Sequence, residues 1–187
     1  MLTIRNNAKK CVTGITILFL LMAYSDSSAQ DRDQDRPRVS PNAVVSQTIG
    51  TTEVTITYGR PAVRDRIIFG EVVPFDEIWR TGADEATTIT FSSDVLLEGV
   101  PVDAGTYSLF TIPALDGEWT IILNNIIDQW GAYNYDFAED EIRVEVEAEE
   151  APFMEQMMFY FDSVGESSGV AVLHWETTRV DFRIQEK

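Results

Sequence analysis

From Pro41 onward, apolar and polar residues alternate with a period of two. Val54, Ile56 and Tyr58 are separated by Thr55 and Thr57, and Ile142, Val144 and Val146 by Arg143 and Glu145. Val180, Phe182 and Ile184 are separated by Asp181 and Arg183, and Trp119, Ile121 and Leu123 by Thr120 and Ile122. Successive side chains of a strand point to opposite faces, so this pattern predicts half-buried β-strands. Residues 157–161 and 170–175 also read as strands. Turn chemistry falls between the strands at Glu98-Gly99, Asp103-Ala104-Gly105, Asp116-Gly117 and Glu176-Thr177-Thr178. Helical periodicity is weak and predicts only short turns near residues 75–79 and 137–141. Many short strands with dense turns predict an all-β fold, an antiparallel β-sandwich (jelly-roll-like) with little helix. The predicted core is Val54, Ile56, Tyr58, Ile89, Phe91, Leu109, Trp119, Ile121, Leu123, Val144, Val146, Phe159, Phe161, Leu173, Trp175 and Phe182.

The start of the chain follows another logic. Arg5, Lys9 and Lys10 precede an apolar run from Ile15 to Tyr24, and Ser27-Ser28-Ala29 follows with small residues. This is the pattern of a secretory signal cut after Ala29. The apolar run is shorter than the roughly 20 residues a spanning helix needs. The expected organisation is a signal peptide at 1–29, a flexible leader at 30–40 and one domain at 41–187. The expected destination is the periplasm or the exterior, with no transmembrane segment after cleavage.

Composition narrows the chemistry. The 187 residues carry 14 Lys and Arg against 31 Asp and Glu, a net charge of −17, with one His and one Cys. The strong negative charge argues against nucleic acid, whose affinity rests on Lys and Arg at phosphates. One Cys makes neither an internal disulfide nor a Cys-rich zinc site, and one His excludes HExxH. Asp31, Asp33 and Asp35 resemble the opening of a calcium loop, but Arg36 and Asn42 stand where its Gly and Glu belong. No metal site and no cofactor are expected. Gly165-Glu166-Ser167-Ser168-Gly169 matches GxSxG. A nucleophile elbow needs a strand, a sharp turn and a helix, whereas this run lies between two strands, so it reads as a hairpin loop. His174 reads as a structural histidine on one strand face with Val170 and Val172.

The unusual stretch runs from Tyr58 to Thr88. It holds Arg60, Arg64, Arg66 and Arg80, with Trp79, Asp84 and Glu85 in a Gly-containing loop. Aromatic faces and planar guanidinium forks can orient a polar ligand. Tyr58, Arg60, Trp79, Arg80, Asp84, Glu85 and Tyr107 are therefore the candidate ligand-binding residues. The competing reading is a structural ion-pair network that pins a long loop, with Arg80 paired to Asp84 or Glu85, the latter in two parallel hydrogen bonds. An aromatic loop, Trp130 to Asp136, can stack on sugar faces if exposed or cover one end of the core if buried.

Several of these segments together resemble a family of exported β-rich proteins, domain of unknown function 2911. The resemblance is carried by Tyr58-Gly59-Arg60-Pro61, by Trp79-Arg80-Thr81-Gly82-Ala83-Asp84-Glu85-Ala86, by Gly105-Thr106-Tyr107-Ser108-Leu109-Phe110 and by Trp119-Thr120-Ile121. It spans about residues 40–185. Asp84 stands where the family usually has Asn, and Arg64-Asp65-Arg66 where it has Lys-Gly before an Arg. The resemblance implies an exported β-fold and carries no activity with it.

Three functions stay open at this point. The first is a non-catalytic binding or accessory module for a carbohydrate or another polar small molecule. The second is a structural envelope protein, and the third a hydrolase using paired carboxylates. No catalytic residue is singled out, and the oligomeric state is not read from the sequence. If residues 1–29 are a signal, mass spectrometry of the exported protein will give a chain beginning at Gln30. A main form that retains Met1 would contradict the signal reading.

Overall fold

A computed structural model describes residues 36–187. The signal and cleavage-site readings, and the leader up to Asp35, lie outside the described residues. Nine antiparallel strands form, as the period-two pattern requires: β1 (Asn42–Ile49), β2 (Thr52–Gly59), β3 (Thr88–Phe91), β4 (Val95–Leu97), β5 (Val100–Val102), β6 (Gly105–Ile112), β7 (Glu118–Asn124), β8 (Asp140–Val164) and β9 (Ser168–Glu186). A single 3₁₀ turn at Phe137–Glu139 precedes β8, capped by the Asp136 side chain, which accepts from the Ala138 N–H. No α-helix occurs among the described residues.

The strand order is β1-β2-β3-β6-β7-β8-β9-β4-β5, an open, sandwich-like arrangement. The first part of β8 pairs with β7, and the remainder pairs with β9. The end of β9 then pairs with β4. One long hairpin thus belongs to both layers. The β4–β5 hairpin leaves the neighbouring pair β3 and β6 to complete the second layer. Two contacts tie the layers together. The Phe159 N–H donates to Tyr58 Oη at 3.0 Å, and Glu186 accepts from the Thr51 N–H and hydroxyl. Those two bonds hold the Glu186 carboxyl below the usual carboxylate range.

The inward faces form one continuous core. Of the predicted core residues, all are buried except Phe161, which is partly buried and packed against the rest. Ala171, Leu173 and Trp175 face this core, and His174 lies on the opposite face of β9, as the alternation implies. The outer face of β6 and β7 carries a second small cluster of Ala86, Phe110 and Ile122, with Ile78, Ala132 and Tyr135 packed over it. Loops 76–86 and 126–136 are therefore held down by apolar burial.

One local expectation is corrected. Glu176-Thr177-Thr178 is not a turn between strands; β9 runs through it, with Glu176 in the left-handed region at φ 55°. Near residues 75–79 a turn forms at Phe75 and Asp76, where the Asp76 N–H bonds the Pro113 carbonyl, and Trp79 pairs with Thr111 beside β6.

Phe110 is completely buried and anchors the second cluster. Phe110→Ala is expected to cost about 3–5 kcal/mol in chemical denaturation. It should also increase proteolytic cleavage within 126–136, because that loop loses its apolar seat.

Candidate functional site

The site is built by the long connection between β2 and β3, residues 60–87, which bonds to β8, β6 and β2 in turn. Its first residues lie along β8, where the Val63 N–H donates to the Glu155 carbonyl and the Met157 N–H to the Pro61 carbonyl. Arg64 and Asp65 both take left-handed φ, at 52° and 55°, and turn the chain back. A tight loop follows, closed by the Gly70 N–H on the Val73 carbonyl. Trp79 then pairs with Thr111 in both directions at 2.8 and 2.9 Å. Finally the Ala83 N–H reaches the Gly59 carbonyl at 3.3 Å.

That return demands very close backbone approach. A Cβ on Gly59 would sit 2.0 Å from the Ala83 carbonyl oxygen, and one on Gly82 would sit 2.8 Å from Thr87 Oγ1. Between them, Thr81 is fully buried with φ 52°, which is strained for a β-branched residue. Its hydroxyl bonds Thr111 Oγ1 at 3.2 Å, and its carbonyl accepts from the Thr87 hydroxyl at 2.8 Å. Trp79 Nε1 donates to the Gly82 carbonyl at 3.2 Å, and its ring stacks on Trp175 at 5.9 Å and 20°. Phe69 packs edge-on against Trp79, Trp119 and Trp175. Most of the Trp-Arg-Thr-Gly-Ala run thus serves to lock the loop.

Between the loop and this aromatic cluster lies a cavity of about 250 Å³. Arg64, Arg66, Arg80 and Asp84 line it together with Trp79 and Trp175, and Val39 and Ser40 border it from the leader. Arg66 donates to the Val63 and Ala62 carbonyls at 3.0 and 2.7 Å, and Arg64 to the Val39 carbonyl at 3.0 Å. Arg80 Nε is buried without a hydrogen-bond partner. Burial lowers the Arg80 pKa from its ordinary value, and the nearby Asp84 and Tyr133 oppose that shift.

Of the seven candidates, Trp79, Arg80 and Asp84 line the cavity. The other four do not. Tyr58 is buried in the core with its hydroxyl on Phe159, and Arg60 Nε donates to the Met157 carbonyl. Tyr107 packs near Phe91 and donates to the Asp103 carbonyl at 3.0 Å. Glu85 receives Arg38 through two hydrogen bonds of 2.8 and 3.0 Å. The expected Arg80–Glu85 pair is therefore replaced by Arg38–Glu85, and the carboxylate nearest Arg80 in the electrostatic sense is Asp84. The left-handed φ of 68° at Asp84 turns the chain there and separates the two neighbouring carboxylates. Arg64 and Arg66 join the cavity because of the turn at 64–65, and Trp175 because β9 passes beneath the loop. The concentration of arginines between Tyr58 and Thr88 was the available signal for the first two.

The aromatic loop borders this site. Its backbone pairs with the motif: the Ala86 N–H bonds the Gln129 carbonyl, and the Gly131 N–H bonds the Asp84 carbonyl. A Cβ on Gly131 would lie 3.9 Å from Arg80 Nη1. Trp130 and Tyr133 are 45% and 86% exposed, so this loop is not a buried lid. Tyr135 is held differently. Its hydroxyl donates to Asp140 at 2.6 Å, and burial, with Asp140 next, pushes its pKa up to about 12.

The family described as protein of unknown function (DUF2911) matches residues 40–184. The chain belongs to that family. No curated protein and no solved structure matches it. Asp65 and Asp84 both sit at left-handed φ, a region that Gly, Asn and Asp accept most readily.

Two substitutions separate the lock from the rim. Gly59→Ala pushes a Cβ into the Ala83 carbonyl and is expected to destabilise by about 1–3 kcal/mol. Glu85→Gln releases a pair whose side chains are 27% and 47% exposed, and should change stability by about 0–1 kcal/mol in the same denaturation assay.

Proposed function

We propose that the protein is an exported, non-catalytic binding module whose cavity holds a small polar ligand such as one unit of a glycan. The observation that carries this reading is the cavity itself, lined by three guanidiniums together with Trp79 and Trp175. Pockets that bind small molecules combine an apolar floor with a few converging polar groups. The exposed ring of Tyr133 beside Arg80 supplies a flat face of the kind that stacks on a sugar ring. A hydrolase of the two-carboxylate type is supported less well. Asp84 is the one carboxylate among the described residues lining the cavity, and Glu85 is engaged with Arg38. A purely structural role accounts for Thr81, Gly82 and Trp79, but it leaves the buried, unpartnered Arg80 Nε without a purpose.

Calorimetric titration of the exported protein with mono- and oligosaccharides tests the proposal. A ligand that binds the native state must also raise the melting temperature. Tyr133→Ala should weaken binding about tenfold, or about 1.4 kcal/mol, while leaving the melting temperature unchanged, since the side chain is exposed. Absence of binding to any sugar, neutral or acidic, would remove the glycan reading.

A further inference from the structure

We propose that the ligand of this cavity is an anion, held through a carboxylate or phosphate group by Arg64, Arg66 and Arg80. The inference rests on the binding reading above and specifies its chemistry.

The argument is one of charge partnership. Acids outnumber bases 31 to 14 along this chain, so a guanidinium has carboxylates in easy supply. Elsewhere three arginines take them, while Arg60, outside the cavity, bonds the Met157 carbonyl. Arg38 pairs with Glu85, Arg143 with Asp140, and Arg179 with both Asp162 and Asp181. The three cavity arginines behave otherwise. The Arg64 and Arg66 guanidiniums hydrogen-bond only backbone carbonyls. Among the described residues Arg80 Nε has no hydrogen-bond partner. Carbonyl bonds orient a guanidinium without cancelling its charge, which leaves its remaining N–H groups to receive an oxyanion.

The one carboxylate among the described lining residues, Asp84, offsets one charge of three. The cavity therefore keeps a positive balance inside a strongly negative molecule. A partly buried unpaired cation is costly, and an anionic ligand with complementary oxygen atoms is the group that relieves it. Arg is also the side chain whose planar fork matches carboxylate and phosphate oxygens two at a time. A volume of about 250 Å³ admits a single sugar acid or a small organic acid with its oxyanion inside, rather than a long chain. The exposed ring of Tyr133 lies outside the lining and can meet the part of the ligand that emerges.

The test is calorimetry of the exported protein with three probes: sodium galacturonate, inorganic phosphate and neutral galactose. Galacturonate or phosphate should bind, galactose should bind at least about tenfold more weakly, and added sodium chloride should weaken the anion but not the neutral sugar. Galacturonate binding without phosphate binding assigns an acidic sugar, and phosphate binding alone assigns a phosphorylated or free oxyanion. Arg64→Gln is the first variant, because that side chain is exposed and its guanidinium holds only the Val39 carbonyl. It should keep the wild-type melting temperature and lose about tenfold or more in anion affinity. Arg64→Lys, which keeps the charge without the fork, should recover part of the loss. Galactose binding as tightly as galacturonate would overturn the anion assignment while leaving the binding module standing. Failure of all three probes would overturn both, and anion binding unchanged in both Arg64→Gln and Arg66→Gln would place the anion elsewhere and overturn the proposal.

Discussion

The feature on which the rest depends is the broken register between β8 and β9. Glu150 faces Thr178, Met154 faces Glu176, and Met158 faces His174, so three residues of β8 stand opposite one of β9 twice in succession. Extra residues on one strand bend it and leave backbone groups unpaired. Both consequences are used. The bend carries a single hairpin from the layer of β7 into the layer of β4. The freed groups at Glu155 and Met157 become the edge on which Pro61 to Val63 dock. Pro152 sits within the irregular stretch, where a residue without an N–H is tolerated. Its carbonyl is bonded by His174 Nε2 at 2.9 Å. The only histidine of the chain thus serves the bend, and Trp175, the residue opposite the second irregularity, is turned toward the cavity.

Rigidity in the loop has a similar origin. Thr81 in the left-handed region costs on the order of 1–3 kcal/mol, and such a conformation persists only where neighbours over-determine it. Here the neighbours are two backbone pairs to Thr111, two threonine hydroxyls and the glycine contact at Gly59. The loop is long, yet its polar groups are shared with three different strands. That arrangement holds Arg80 in position between the cavity and the aromatic loop, with Asp84 acting on it electrostatically.

Strands, core faces and the hairpin at Gly165–Gly169 were legible because period-two alternation and turn residues report local backbone directly. Val54, Ile56, Leu123 and Phe182 are buried as the alternation demands. The same rule misread Glu176-Thr177-Thr178, since polar residues accompany both turns and bulges, and only the partner strand distinguishes them. In the site, the density of arginines and aromatics was visible, but partnership was not. Arg38 comes from the leader, 47 residues before Glu85 in the chain, and no local rule links them. Tyr58 and Tyr107 carried the right chemistry at the wrong depth, because each ends a core-facing row whose polar tip is satisfied inside the fold.

The division of labour within the Trp-Arg-Thr-Gly-Ala-Asp motif follows from these partnerships. Trp79, Thr81 and Gly82 each have a contact that explains their identity through the fold alone: a stacked ring, a strained but bonded turn and a close approach to Thr87. Asp84 fits a left-handed turn that Asn would serve equally. Arg80 is different, since its Nε is desolvated and unpaired and its backbone carbonyl is the only atom the Thr87 N–H requires. Any residue could supply that carbonyl. A half-buried cationic side chain whose Nε the fold leaves unbonded is a net cost to folding, and such costs cluster at functional sites.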